Sequence, residues 1–167
     1  MLSLLKRLVA VATLGIVAAC GGGDDNGPLT VVDVAKSDPR FSTLVEAVVA
    51  ADLADTLSGE GPFTVFAPTN DAFAALLTEL GVSKAELLAN KPLLATVLTY
   101  HVVPGRVLRA QVPVGVPITT VQGDTFTVAA DLAITDQRDR KARIVQTDLL
   151  ADNGVVHAID RVILPSP

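Results

Sequence analysis

Thr64-Val65-Phe66-Ala67-Pro68-Thr69-Asn70-Asp71-Ala72-Phe73 holds the end of a strand and the start of a helix within ten residues. Phe63–Phe66 is a run of β-branched and aromatic side chains, which suit the pleated, half-buried surface of a sheet. Gly61-Pro62 bounds it on one side and Pro68, which has no N–H for a ladder, on the other. Thr69 or Asn70 then offers a side-chain oxygen to the unpaired N–H groups of a short helix. That helix turns Phe73, Leu76 and Leu77 inward.

Upstream, Phe41, Leu44, Val45, Val48, Val49 and Leu53 fall on one face at helical spacing. Pro39 sits near the start, where a missing N–H costs little. Downstream, Ser83 and Glu86 make a capping box, and Pro92 opens a further helix bearing Leu93, Leu94, Val97 and Leu98. From Tyr100 onward the pattern changes to strands. Thr119–Val121, Thr125–Ala129, Leu132–Thr135 and Arg143–Thr147 are separated by Gly, Asp and charged turns.

Gln137-Arg138-Asp139-Arg140-Lys141 reads as a solvated hairpin tip. Asn153-Gly154 is the strongest turn signal, because both residues tolerate positive φ. Val155–Leu164 reads as the closing strand or pair of strands. Helices first and strands later predict an α+β domain over 29–165, not a parallel βαβ sheet.

Of the 167 residues, 50% are hydrophobic, 19% charged and 4% aromatic, with a net charge of −5. An acidic chain without Trp and with one Tyr lacks the basic surface and stacking platforms that nucleic acid requires. A single cysteine excludes an internal disulfide framework and a Cys-based zinc site. The mean hydropathy of +0.48 is high for a soluble protein, and much of it sits at the start.

Residues 1–19 carry 14 apolar side chains, with Lys6 and Arg7 ahead of Leu8–Val17, a run too short to span a bilayer. Val17-Ala18-Ala19-Cys20 resembles a bacterial lipobox, in which the cysteine is lipidated and the chain is cut just before it. Cys20 is therefore the expected lipid anchor, and Gly21–Pro28 a flexible, hydrated tether. Removing 1–19 lowers the apolar share to about 47% and leaves a net charge of −7. The expected location is the bacterial cell envelope. Gly21 after the cysteine resembles the sorting pattern for the outer membrane in diderm bacteria.

Three segments in order resemble the fasciclin (FAS1) domain family. They are Thr64–Phe73, Tyr100-His101-Val102-Val103-Pro104-Gly105 and Asn153–Pro165, the last reading NGVVHAIDRVILP. The resemblance covers 29–165 and implies a wedge of β-sheets flanked by short helices. It also implies a secreted or envelope-anchored module of adhesion and matrix contact, whose motifs mainly maintain the fold. In some animal relatives a Tyr-His segment flanked by branched apolar residues is linked to integrin recognition. Leu98-Thr99-Tyr100-His101-Val102-Val103 resembles it, which makes Tyr100 and His101 the candidate partner-binding residues.

His101 and His157 have the chemistry of a general base or metal ligand. The simpler reading is a partly buried ring tying a strand to a loop. His157 and Asp160, three apart on a strand, should point to opposite faces and form no dyad. Ser37, Ser42, Ser58, Ser83 and Ser166 lie outside any Gly-x-Ser-x-Gly elbow. Asp131, Asp136 and Asp139 lack the spacing and glycine of a calcium loop. The expectation is a non-enzymatic, monomeric module with no cofactor and no metal. It meets a protein or matrix surface and touches the membrane only through Cys20. The alternative is an envelope protein that binds a small apolar ligand in a cleft between helices and sheet.

Overall fold

The computed structural model describes residues 29–167; the leader 1–19, Cys20 and the tether lie outside the described residues. Helices come first: α1 (Val31–Ser37), α2 (Ser42–Ala50) and α3 (Ala54–Ser58). The strand β1 (Phe63–Pro68) follows, then α4 (Asn70–Leu80), α5 (Lys84–Ala89) and α6 (Lys91–Tyr100). The remainder is mostly β: β2 (Val102–Pro104), β3 (Ile118–Thr119), β4 (Thr125–Val128), β5 (Ala133–Thr135), β6 (Lys141–Ala151) and β7 (Gly154–Ile159).

The helix starts follow from local chemistry. Thr69 caps α4 by accepting from the Ala72 N–H, and Ser83 and Glu86 form the expected reciprocal box on α5. A second box, missed in the sequence, joins Thr30 and Asp33 at α1. The start of α2 has no cap of its own. Asn70 serves it from across the fold, accepting from Thr43 N–H at 3.0 Å and donating to Pro39 O at 3.0 Å. The Thr-Asn pair thus caps one helix and ties a second to it.

The strands form one hydrogen-bonded order, β2-β1-β7-β6-β5-β4-β3. The sheet is mixed rather than wholly antiparallel, because β1 and β7 run parallel from Phe63↔Gly154 to Pro68↔Ile159. Both central strands alternate sides, as the period of two demands. Val65 and Ala67 of β1, with Val156 and Ala158 of β7, enter a core shared with Phe41, Leu44, Phe73, Leu94 and other helix residues. Phe66 and Ile159 enter a second core with Tyr100, Phe126, Ile134 and Ile163. Phe66 meets Phe126 edge to face at 5.0 Å, and full burial of such a ring contributes about 1.5–3 kcal/mol.

Local expectations are corrected at several points. Val49 and Leu93 are exposed, because α2 ends at Ala50 and Ala47 takes the inward position, while Leu94 turns inward on α6. The strand β1 continues through Pro68. The last strand stops at Ile159, although Val162, Ile163 and Leu164 are buried beyond it. The turn at Asn153-Gly154 forms, but for another reason. Asp152 and Asn153 occupy it and Ala151 pairs with Gly154, while neither Asn153 nor Gly154 has a positive φ. A Cβ on Gly154 would stand 2.0 Å from Phe63 O, so glycine is required by the close approach of β1.

Candidate functional site

The three motifs are stitched to one another by backbone hydrogen bonds. Phe66 N–H donates to His101 O at 2.8 Å, and Thr69 N–H to Ile159 O at 3.1 Å. Phe63 N–H donates to Asn153 O at 2.9 Å, and Gly105 N–H to Pro62 O at 2.9 Å. Segments separated by tens of residues therefore meet around β1 and β7.

Their side chains complete the junction. Tyr100 is fully buried at the end of α6, and its hydroxyl donates to Thr125 O at 2.8 Å. Burial pushes its phenol well above the usual range. His101 accepts from Ile163 N–H at Nε2, so its proton sits on Nδ1 and donates to Val97 O at 2.7 Å. Burial lowers its pKa to about 4, against smaller raising effects from Val97 and Asp136. The ring is neutral at physiological pH.

His157 holds the opposite tautomer. Its Nδ1 accepts from Asp148 N–H at 3.2 Å and its Nε2 donates to Val107 O at 2.8 Å. Asp160 faces elsewhere and accepts from Arg143 N–H at 2.7 Å, so the two form no dyad. In this arrangement neither histidine has a ring nitrogen open to a metal, a substrate or a nucleophile. Among the described residues no three His, Cys, Asp or Glu side chains gather where they could hold a metal.

Tyr100 and His101 stand together as expected, but inside the protein. A partner touching the surface of this conformation reaches neither ring. Their geometry supports β2 and the Ile163 segment rather than offering a contact. Cys20, the expected lipid site, lies outside the described residues.

Two residues named in the sequence for other reasons turn out to organise the fold. Asn153 accepts from Val31 N–H at 2.8 Å and donates to Leu57 O and Gly59 O, joining α1, α3 and the β6–β7 turn. Residues 137–141 do form the solvent-facing connection of β5 and β6, and Asp136 just before them anchors it from inside. Asp136 is buried, with one oxygen accepting from Arg138 and Arg140 N–H at 2.9 Å and the other from Leu164 N–H at 2.9 Å. The local half of that role, an aspartate closing its own turn, was readable from its place after a strand. The link to Leu164 had no local signal.

The family model for the Fasciclin domain matches residues 39–165. This chain belongs to the fasciclin domain family. "Protein sll1483" of Synechocystis is 49% identical over 140 residues, covering 82% of this fasciclin chain and 74% of its own length. Transforming growth factor-beta-induced protein ig-h3 of Sus scrofa is 41% identical over 136 residues, which are 81% of this chain and 19% of that protein. In three dimensions the chain is similar to a FAS1 domain pair from the insect cell adhesion molecule Fasciclin I, with a TM-score of 0.72. That likeness, at 18% identity, spans 81% of this chain and 51% of the other, and it shows the fold.

Proposed function

We propose that this fasciclin domain is a lipid-held module of the bacterial cell envelope that makes adhesive or protein–surface contacts without catalysis. One observation carries the reading. Across a chain matched to the family over 39–165, the side chains best suited to chemistry are spent on internal backbone hydrogen bonds. What remains for a partner is the exterior of the domain. The likeness to a cell adhesion molecule supports the same reading.

The anchor rests on Cys20 after an apolar leader with Lys6 and Arg7 at its start. Lipidation there by more than one acyl chain would give stable attachment, with the outer membrane as the location in a diderm host. The domain acts as a monomer, and Tyr100 and His101 serve it by holding β2 in place.

The test compares wild type, a deletion strain and a Cys20→Ser strain. The reading expects wild-type protein in the membrane fraction, Cys20→Ser protein released and folded, and surface attachment or aggregation reduced in both mutants. Unchanged attachment on deletion overturns adhesion, and persistent membrane association of Cys20→Ser overturns the anchor.

A further inference from the structure

The helices α4, α5 and α6 leave a groove between them that the residues after β7 wall on one side. Leu76 and Leu80 of α4, Leu87 of α5 and Leu93 and Val97 of α6 line it, and Leu164–Pro167 forms the wall. Its volume of about 380 Å³ lies within the ~300–1,000 Å³ range of small-molecule clefts. The wall is pinned, since Ser166 N–H and Oγ both bond to Asp124, and Arg138 Nε donates to Pro165 O at 3.0 Å.

Arg138 also lines the groove. Beyond the bond to Pro165, its guanidinium makes no hydrogen bond or ion pair among the described residues. Three carboxylates of the neighbouring segments are engaged elsewhere. Asp136 is taken by three backbone N–H groups, Asp124 by Ser166, and Glu79 of α4 by Arg140. A cation with open N–H groups therefore stands against an apolar trough.

We propose that this groove binds a single-chain amphiphile with a carboxylate head, its tail along the leucines and its head on Arg138. The planar guanidinium fork matches a carboxylate. Among the described residues lining the groove Arg138 is the one charged side chain, so the groove sets one cation against a monoanion, whereas a phosphate dianion would leave its second charge unmatched by the lining. A neutral apolar molecule would leave the guanidinium unused. The site lies apart from the three motifs and does not depend on an adhesive role.

The experiment titrates decanoate, labelled with ¹³C at the carboxyl, into the full chain in lipid nanodiscs, with empty discs giving the partition background. Decanol and decyl phosphate are run in parallel. The proposal expects one saturable site per chain. Arg138→Gln should weaken decanoate about tenfold, the loss of one charge-assisted contact, while leaving decanol unchanged. Thr96→Trp, an exposed position on the groove wall, should block both. Circular dichroism checks each variant, and Thr96→Trp decides alone if Arg138→Gln does not fold. No saturable signal above empty discs overturns the proposal, as does decanoate binding indifferent to Arg138→Gln or Thr96→Trp. Decyl phosphate binding more tightly than decanoate overturns the carboxylate assignment.

Discussion

Ile163 donates its backbone N–H to Nε2 of His101 at 3.2 Å, joining positions 62 residues apart in the chain. The bond requires a neutral ring, because a protonated Nε2 has no lone pair to accept with. Protonating His101 would set two N–H groups face to face within a buried core.

The consequence is an acid sensitivity with a defined window. The folded ring has a pKa of about 4, lowered by burial, against 6.5 for an exposed histidine. Above pH 6.5 both states are neutral and the group has no effect. Between 6.5 and 4 the unfolded chain binds a proton that the folded one refuses, so stability falls with pH. The full loss below pH 4 is about 3 kcal/mol, from ~1.4 kcal/mol per unit. Urea unfolding at pH 7.5 and 4.5 measures the difference, and His101→Gln should flatten the slope within that window. An unchanged slope in His101→Gln would assign the sensitivity to other groups. Asp33, Asp38 and Asp124 are held below the ordinary carboxylate range by hydrogen bonds, so their stabilisation is lost only at still lower pH.

Gly154→Ala tests the parallel pairing of β1 and β7. The added methyl would meet Phe63 O at 2.0 Å, and that oxygen is a backbone atom that cannot swing aside. A loss of about 3 kcal/mol is expected, read as a lower denaturation midpoint. Gly59→Ala is the milder comparison, since its Cβ would meet Thr56 O at 3.2 Å, a tight contact that a shift of a few tenths of an ångström relieves, and its φ is not left-handed. Equal effects of the two substitutions would mean that β1 and β7 can separate without penalty.

These two cases mark what the sequence discloses. Periodicity and caps are local, so the helix starts at Thr69, Ser83 and Pro92, the strand at Phe63 and the α+β order were all legible. The need for glycine at 154 was not, because it arises from a strand about ninety residues away. Val49 and Leu93 match the apolar pattern of their helices yet face solvent, since neighbouring elements decide which part of an apolar stripe is covered. The placement of Tyr100 and His101 side by side was readable. Partial burial of His101 was the simpler reading there too; the complete enclosure of both rings was not legible, because it depends on Thr125, Phe126 and Ile163 closing over them.

Asp136→Asn separates charge from shape. The carboxylate accepts three backbone N–H groups, and an amide has only one oxygen to share among them. Its NH₂ must face either Leu164 N–H or the pair from Arg138 and Arg140. A buried donor left facing a donor costs about 1–3 kcal/mol. Thermal melting should show that loss, and amide exchange should quicken at Leu164. A variant as stable as wild type, with Leu164 still protected, would mean that the oxygen–Leu164 bond contributes nothing.

Tyr100→Phe distinguishes a structural tyrosine from a recognition tyrosine. The substitution keeps the ring against Phe126, at 6.0 Å between centroids, and removes only the hydroxyl that donates to Thr125 O. Stability should fall by about 1–2 kcal/mol, the worth of one hydrogen bond plus part of the cost of an unpaired carbonyl. The domain remains folded after such a loss, so attachment of cells carrying the variant should match wild type at growth temperature. A phenol that meets a partner directly predicts the reverse, with attachment lost while the melting temperature stays unchanged. Measuring both quantities on the same variant separates the two roles, because the buried hydroxyl can reach Thr125 or a partner but not both.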